Sequence, residues 1–167
     1  MLKLNAMFRR LALVLSLVAL VAASGCSGKK KADETGNITG SAADENTLGD
    51  SDSGKAFGLK TIHFGYDSFV LDSESKAALK ANAAVMTDKS TLKIQVEGHC
   101  DQHGGIQYNI ALGEKRANSV KKYLMDQGVK ADRITTISYG KERPADAGTS
   151  AEADAKNRRA NFVITSR

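Results

Sequence analysis

Two histidines, a cysteine and an aspartate lie within five consecutive positions, in the stretch HCDQH at residues 99–103. These residue types can ligate a metal ion, or supply a nucleophile and the base that activates it. His99 and His103 are four positions apart, a spacing that would bring both side chains to one side of a helix. However, glycines flank the stretch on both sides and indicate a loop. Outside a helix, a spacing of four residues does not bring the two histidines to the same side. A metal-dependent hydrolase with a site at His99, Cys100, Asp101 and His103 is therefore the weakest interpretation, and we expect no enzymatic activity, metal or cofactor.

A carboxylate and a guanidinium from this region could instead recognise a ligand that carries both charges. Asp101 lies in the predicted loop, and Arg116 lies on the rim of the following predicted helix, close in angle to Asn109. A carboxylate accepts hydrogen bonds from an ammonium group, and a guanidinium binds a carboxylate through two parallel bonds. Free N–H groups at the start of the helix also favour a carboxylate. The alternative is that Asp101 and Arg116 are ordinary surface charges that pair with each other.

Periodic apolar residues predict the elements that position these side chains. Alternation predicts strands near residues 59–64, 92–97, 134–139 and 160–164, and helical spacing predicts helices near residues 72–87 and 105–127. A polar loop with the only proline, Pro144, precedes the last strand. Gly113 lowers helix propensity by about 1 kcal/mol, which indicates that the second helix approaches the sheet closely there. The order βαβαββ predicts an α/β fold, a two-layer sandwich with the helices on one face of a four-stranded mixed sheet.

The N-terminus has the features of a bacterial export signal. Residues 1–25 contain three basic residues and no acidic one, and an uncharged apolar run extends from Leu11 to Ala23. This run is shorter than the roughly 20 residues of a membrane-spanning helix, so we expect it to be removed rather than retained as an anchor. The residues before Cys26 then resemble a lipobox, at which Cys26 becomes the acylated first residue of a lipoprotein. The alternative is ordinary signal cleavage next to an unmodified cysteine.

After Cys26 the chain changes from a polar segment to a periodic one. Residues 27–56 hold only two large aliphatic side chains among Gly, Ser and charged residues, too few to order a segment by burial. We therefore predict a lipidated cysteine and flexible linker over residues 26–56, and one domain over residues 57–167. The chain has 24 basic and 19 acidic residues, and three of the basic ones lie in the signal. The mature chain is thus close to neutral, and no nucleic-acid partner is expected.

Three motifs, in the same order along the chain, resemble one known family. The stretch VEGHCDQHGGIQYNIALGEKRANSVKKYL begins at Val96, SYGKERPA begins at Ser138, and KNRRA begins at Lys156. Together they resemble the OmpA-like peptidoglycan-binding domain family, and within it the peptidoglycan-associated lipoproteins, over residues 60–165. The resemblance implies the fold of that family's C-terminal domain. It also implies non-covalent binding of the diaminopimelate in the stem peptide of peptidoglycan, without catalysis.

The resemblance implies a binding site as well. Asp101 and Arg116 match the family's binding aspartate and arginine, and would recognise the opposite charges of diaminopimelate. Five further residues match pocket positions of the family: Tyr66, Asp67, Asn109, Leu112 and Arg158. For Arg158 and its neighbour Arg159, the alternative is that one of them only braces the loops through buried hydrogen bonds.

Four residues depart from the family's pattern. Cys100 stands where Thr or Ala is usual, and His103 stands where Arg is common. Because both flank Asp101, affinity or peptide preference is expected to differ. Tyr66 replaces the frequent Phe, which is a small change, and Ala160 replaces Val, which is expected to affect packing only.

These features predict an outer-membrane lipoprotein whose domain faces the periplasm and tethers the membrane to the cell wall. Acyl chains on Cys26 would hold the protein on the membrane surface without a spanning helix. Ser27 rather than Asp follows the cysteine, and by resemblance to the lipoprotein sorting rule this favours the outer membrane. The family resemblance implies membership of the Tol-Pal system, which serves envelope integrity and cell division, and exchange between peptidoglycan and the system's periplasmic propeller protein. The alternative is a wall-binding lipoprotein of the same fold without a Tol partner.

Overall fold

The computed structural model describes residues 48–167. The signal peptide over residues 1–25, the lipidation of Cys26 and the linker up to residue 47 lie outside the described residues and stay predictions. The elements in chain order are β1 (Ile62–His63), α1 (Ser73–Asp88), β2 (Lys93–His99), α2 (Ile106–Asp126), β3 (Ile134–Gly140), α3 (Ala151–Asn157) and β4 (Arg159–Ser166). A 3₁₀ turn at Ala131–Arg133 leads into β3. None of the helices in this part of the chain is long and apolar enough to cross a membrane.

The four strands form one sheet in the order β1-β4-β2-β3. β2 and β3 are parallel, and the connection between them contains α2. β4 lies antiparallel to both of its neighbours, β1 and β2, so the last strand of the chain lies inside the sheet. The predicted class is confirmed, because the strands form a four-stranded mixed sheet covered by helices.

Apolar residues of the sheet and of the two long helices form the core. Fully buried members are Leu79 and Met86 of α1, Val120 and Leu124 of α2, and Ile94, Val96, Phe162 and Ile164 of the central strands. The members are seven residues apart in α1 and four residues apart in α2, which places each pair on one side of its helix. Each buried side chain of this size contributes roughly 1.5–3 kcal/mol. The core therefore holds both helices on the sheet.

Two glycines let α2 approach the sheet closely. A Cβ atom on Gly98 would lie 1.9 Å from the carbonyl oxygen of Gly113, and a Cβ atom on Gly113 would lie 2.3 Å from the Ser138 hydroxyl. The close approach predicted from Gly113 is therefore confirmed. It brings the N-terminal half of α2 next to the end of β2, so that the loop between them is short and lies beside the helix.

Residues 48–56 differ from the prediction, because they pack on the domain instead of belonging to the linker. β1 pairs with β4 through two residues only, so the later half of β4 has a free edge. Leu48 donates its N–H to the carbonyl of Ile164 at 3.2 Å, and Ile164 donates its N–H to the carbonyl of Gly49 at 2.8 Å. This pairing uses backbone groups, which is why the polar side chains of the segment gave no sign of it.

The structure also differs from the prediction at β1 and at the loop before β4. β1 is shorter than the predicted strand because the backbone of Lys60 bonds to a side chain of α1. The buried amide of Asn82 accepts its N–H at 2.8 Å and donates to its carbonyl at 2.9 Å. The predicted polar loop contains α3, whose first turn is capped by the Ser150 hydroxyl accepting the N–H of Ala153 at 3.2 Å. A helix of seven residues is too short for apolar periodicity to reveal it.

Candidate functional site

The loop between β2 and α2 is fixed at both ends. Cys100 donates its backbone N–H to the carbonyl of Gly140 at 2.8 Å, which ties the start of the loop to the end of β3. The side-chain amide of Asn109, in the first turn of α2, donates to the carbonyl of His103 at 2.7 Å. The loop is thereby held against the start of α2. An open pocket of about 220 Å³ lies beside it.

Six of the seven predicted binding residues line this pocket. They come from the loop after β1 (Tyr66 and Asp67), the loop after β2 (Asp101) and α2 (Asn109, Leu112 and Arg116). The remaining lining residues are Cys100, His103, Gly104 and Tyr108. The seventh predicted residue, Arg158, contacts the site through Asp101. The structure thus brings the predicted residues together, while their role in binding stays a prediction.

Asp101 supplies a buried carboxylate, since the residue is only 5% exposed. Its Oδ1 accepts the backbone N–H of His103 at 3.1 Å, and its Oδ2 accepts from Nη1 of Arg158 at 3.3 Å. Arg158 also donates from Nε to the carbonyl of Phe64 at 3.1 Å, so it joins the end of β1 to the loop after β2. An ionised carboxylate has about four lone-pair sites, and Asp101 therefore keeps acceptor capacity for a donor in the pocket.

Arg116 is 0% exposed, and its guanidinium braces the walls of the pocket. Its Nε donates to the carbonyl of Ser68 at 2.8 Å, its Nη1 to the carbonyl of His99 at 2.8 Å and its Nη2 to the carbonyl of Gly65 at 3.2 Å. Burial lowers the pKa of Arg116 from its ordinary value, but a guanidinium stays protonated in proteins. A guanidinium has about five N–H donors, so these bonds fix the charge and still leave donors for a ligand.

The alternative of a surface ion pair between Asp101 and Arg116 is wrong. Both residues are buried, and Arg116 donates to carbonyl oxygens. The basic side chains within 4 Å of the Asp101 carboxylate in the described chain are Arg158 and His103. Two opposite charges are therefore held apart in one pocket. Asp101 can therefore bind an ammonium group of a ligand, and Arg116 can bind a carboxylate group. Both interactions are stronger than in water, because the surroundings of the two charges are less polar.

Two exposed aromatic residues form the rim of the pocket. Tyr66 lies in the loop after β1 and Tyr108 in the first turn of α2, and more than half of each residue is exposed. The Tyr108 hydroxyl donates to the carboxylate of Asp67, and this hydrogen bond raises the pKa of Tyr108. Asp67 has a φ of 50°, in the left-handed region that Asp tolerates better than most residues. The contact joins the loop after β1 to α2 across the pocket mouth.

Cys100 lines the pocket but does not have the environment of a nucleophile. Its Sγ donates to the carbonyl of Asn109 at 3.3 Å. Burial raises the pKa of the Cys100 thiol, and a protonated thiol is a poor nucleophile and metal ligand. The side chain therefore acts as a small packing group at the base of the pocket.

The structure separates the two histidines of the proposed hydrolase site. The His99 ring stacks on Tyr139 with centroids 5.7 Å apart, and its Nε2 lies 3.4 Å from Glu97. Burial lowers the pKa of His99. His103 lies instead at the pocket, beside Asp101. Within residues 48–167 no three side chains of His, Cys, Asp or Glu come together as metal ligands, so the four-residue metal site is not formed.

Arg159 lies apart from the pocket, with the N-terminal segment. Its Nε donates to Oδ2 of Asp52 at 2.7 Å. Of the two adjacent arginines, Arg158 is therefore the one that contacts the site, and Arg159 braces the segment that precedes β1. Arg116 also braces loops, a role that the sequence pattern indicates only for Arg158 or Arg159.

Sequence reasoning missed two residues at the site, Tyr108 and Asp154. Tyr108 precedes Leu112 by four residues and Arg116 by eight, a helical spacing that could have revealed its position. Asp154 is only 7% exposed, and its Oδ2 lies 3.5 Å from Nδ1 of His103. No sequence pattern pointed to Asp154, because it lies in α3, where an irregular loop was predicted.

Comparisons of the sequence with known proteins point to one family. The OmpA family profile matches residues 63–158. A peptidoglycan-associated lipoprotein of Pasteurella multocida is 38% identical over 148 residues, which cover 89% of this chain and 92% of that protein. A peptidoglycan-associated lipoprotein of Haemophilus influenzae is 44% identical over 100 residues, which cover 60% of this chain and 65% of that protein.

Solved structures show the same fold. The crystal structure of the peptidoglycan-associated lipoprotein from Burkholderia pseudomallei has a TM-score of 0.60 at 33% identity, covering 62% of this chain and 88% of that one. The C-terminal domain of Helicobacter pylori MotB has a TM-score of 0.60 at 23% identity, covering 64% of this chain and 84% of that one, a likeness of fold alone. Sequence match, relatives and fold lead to one conclusion: the chain belongs to the OmpA family.

Proposed function

We propose that the chain is an outer-membrane lipoprotein that binds peptidoglycan non-covalently and tethers the membrane to the wall. The observation that carries the proposal is the pair of buried opposite charges, Asp101 and Arg116, in one open pocket. The names of the relatives from Pasteurella multocida and Haemophilus influenzae support a peptidoglycan ligand. No group in the pocket is arranged as a nucleophile with its base, and the proposed function is binding without catalysis.

The proposed ligand group is the diaminopimelate of the stem peptide, whose side chain ends in an ammonium and a carboxylate. The ammonium donates to the free lone pairs of Asp101. The carboxylate accepts from the remaining N–H groups of Arg116 and from N–H groups in the first turn of α2. The N-cap residue of this helix is Gly105, which has no side chain to occupy those groups. Because both protein charges are already buried and held by hydrogen bonds, little further ordering is needed on binding.

The other predicted residues shape the pocket around this charge pair. Asn109 holds the loop after β2, and Leu112 supplies the apolar wall beneath the ligand's methylene groups. Tyr66 and Asp67 form the opposite rim. Arg158 orients the Asp101 carboxylate, and thereby affects the ligand without lining the pocket.

Binding to intact wall tests this function. Purified sacculi that contain diaminopimelate are sedimented with the mature protein, in parallel with sacculi that contain lysine at the same peptide position. We expect co-sedimentation with the first and little with the second, because lysine lacks the terminal carboxylate. Asp101→Asn keeps the size of the side chain and removes its charge, so it should abolish co-sedimentation. Equal retention by both kinds of sacculi would contradict the proposal.

The membrane end of the proposed tether is Cys26. After removal of residues 1–25, acyl chains on Cys26 would anchor the protein by roughly 0.8 kcal/mol per buried methylene. Leu48 is bonded to the domain through Ile164, and the stretch from Cys26 to Leu48 spans at most about 75 Å when fully extended. Incorporation of labelled palmitate that is lost in Cys26→Ser would support the anchor. Unchanged labelling of that variant would contradict it.

The proposed cellular role is that of the Tol-Pal system, in envelope integrity and cell division. Its support is the family resemblance to lipoproteins that exchange between peptidoglycan and a periplasmic propeller protein. Co-isolation of that propeller protein with the mature chain tests this role. A wall-binding lipoprotein without a Tol partner would co-sediment with sacculi and co-isolate with no propeller protein.

A further inference from the structure

His103 lies between two buried carboxylates at the edge of the pocket. Its Nδ1 is 3.4 Å from Oδ1 of Asp101 and 3.5 Å from Oδ2 of Asp154. Both aspartates are more than nine-tenths buried, and Oδ1 of Asp154 has no hydrogen-bond partner. The His103 side chain itself is 54% exposed, so it can exchange protons with solvent. One accessible imidazole is therefore in contact with two desolvated acidic groups, one of which belongs to the proposed ligand-binding pair.

The other groups around His103 compensate this negative charge only in part. Arg158 pairs with Asp101, whereas the Lys141 ammonium points to carbonyls of the loop, 2.7 Å from the oxygen of Gly104. The ring of Tyr66 meets the imidazole edge-on, with centroids 6.0 Å apart. The charged and titratable groups facing His103 are thus Asp101 and Arg158 of the pocket, Asp154 of α3, Lys141 after β3 and Tyr66 after β1.

We propose that His103 is a proton-controlled gate on the ammonium side of the pocket. In its protonated form, His103 pairs with the Asp101 carboxylate and so competes with the ammonium of the ligand. When His103 is neutral, the Asp101 carboxylate is available to the ammonium of the ligand. The inference rests on the proposed function, because the ligand's ammonium is what the gate competes with.

The competition follows from electrostatics at the site. Asp101 recognises an ammonium through its negative charge. Arg158 already lies 3.3 Å from this carboxylate, and a second cation at His103 would compete directly with the ligand's ammonium for the acceptor capacity that remains. Histidine is the side chain whose charge ordinarily changes between pH 5 and 8. Asp154 adds a second carboxylate to the imidazolium, and so acts as a positioning residue through His103. By reciprocity, a ligand ammonium on Asp101 expels the proton from His103.

The test is a calorimetric titration of the mature protein with a diaminopimelate-containing stem peptide at pH 5.5 and pH 8.0. The ammonium and carboxylate at the end of the diaminopimelate side chain keep their charges in this range. The peptide is N-acetylated, because a free α-amino terminus has a pKa of about 7.7–8.0 and would change charge between the two pH values. If only the neutral form of His103 is competent, the affinity falls with the fraction of that form, and we expect severalfold weaker binding at the lower pH. Titration in two buffers of different ionisation enthalpy should also reveal proton release on binding between the two pH values.

Variants separate the gate from a structural role. In His103→Gln the affinity should be equal at the two pH values, and proton release should vanish. Asp154→Asn should retain binding at pH 8.0 with a smaller loss at pH 5.5. The matched control is His63→Gln, the same change at an exposed histidine of β1 outside the pocket, and it should behave as the unmodified protein does.

The outcomes distinguish the gate from the function on which it rests. Binding by the unmodified protein that is equally strong at both pH values would overturn the gate and leave diaminopimelate recognition standing. A pH dependence that persists in His103→Gln would also overturn the gate. No binding at either pH would overturn the proposed function, and the gate with it.

Discussion

Nη1 of Arg158 lies 3.3 Å from Oδ2 of Asp101, although 57 positions separate them in the chain. The same guanidinium donates from Nε to the carbonyl of Phe64. One side chain between α3 and β4 therefore connects the loops after β1 and β2. These two loops carry opposite walls of the pocket, so the geometry of recognition depends on a residue that does not line it.

Arg158→Lys should weaken ligand binding about tenfold, which corresponds to roughly 1.4 kcal/mol. A lysine ammonium keeps the charge but lacks the planar fork that reaches a carboxylate and a carbonyl together. Calorimetric titration with the stem peptide measures the change. Lys122→Gln is the control, because Lys122 pairs with Asp126 on the exposed face of α2. Unchanged affinity in Arg158→Lys would show that other contacts position Asp101.

Gly113→Ala should lower the free energy of unfolding by about 3 kcal/mol or more, since overpacked sites of this kind force backbone shifts. The added methyl group would lie 2.3 Å from the Ser138 hydroxyl and 2.8 Å from the carbonyl oxygen of Gly98. Chemical denaturation measures the loss. Gly65→Ala serves as the control, because a Cβ there meets only Cβ of Ser68 at 3.7 Å. Equal stability of the two variants would mean that α2 can move away from the sheet.

Asn161→Ala should cost about 2–3 kcal/mol of stability, because it leaves buried polar groups without partners. The Asn161 amide accepts the Ser51 hydroxyl at 2.8 Å and donates to Oε2 of Glu97 at 3.1 Å. Hydrogen exchange at residues 48–52 should also accelerate, since Asn161 fixes this segment to the sheet. Asn118→Ala, at an exposed position with one bond to Thr136, should change neither quantity. Unaltered exchange in Asn161→Ala would show that backbone pairing alone retains the segment.

Asp72 should stabilise α1 in a pH-dependent manner. Its Oδ1 accepts the N–H of Ser75 at 2.7 Å, and this hydrogen bond lowers the pKa of the Asp72 carboxyl. A carboxyl whose pKa is lower in the folded state contributes stability above its unfolded pKa of about 3.9, and loses it as the pH falls through the folded value. Asp72→Ala should therefore lower the melting temperature at pH 7, and the difference from the unmodified protein should shrink below about pH 4.

Asp72→Asn is the matched variant for this pH dependence. Asparagine also caps helices well but does not ionise in this range. Its melting temperature should stay close to that of the unmodified protein at pH 7. A difference between Asp72→Ala and the unmodified protein that is constant from pH 7 to pH 3 would exclude the carboxylate as the stabilising form.

The strongly periodic parts of the chain were predictable from sequence. The spacing of Val120 and Leu124 and the alternation of Ile94 and Val96 indicated the central elements, and Gly113 correctly indicated the close approach of α2. These features depend on local patterns that every helix or strand with one buried side must show. The position of Asp101 beside Arg116 in one pocket followed from the resemblance to the OmpA family.

The remaining features depend on contacts between distant segments. Residues 48–51 pair with β4 through backbone groups, and the Asn82 side chain replaces strand pairing at Lys60. Asp154 meets His103 only because α3 brings it there. None of these contacts produces a periodic pattern in the sequence. Each one depends on which unpaired strand edge or polar atom lies nearby after the chain has folded.

The most direct test of the charge pair is calorimetric titration of the mature protein at pH 8.0 with two stem peptides that differ only in diaminopimelate or lysine. Lysine keeps the ammonium but lacks the carboxylate proposed to meet Arg116. We predict that the lysine peptide binds at least about tenfold more weakly, and that Asp101→Asn weakens the diaminopimelate peptide by 2 kcal/mol or more, roughly thirtyfold. Equal affinity for the two peptides, or full affinity in Asp101→Asn, would contradict recognition of diaminopimelate by Asp101 and Arg116.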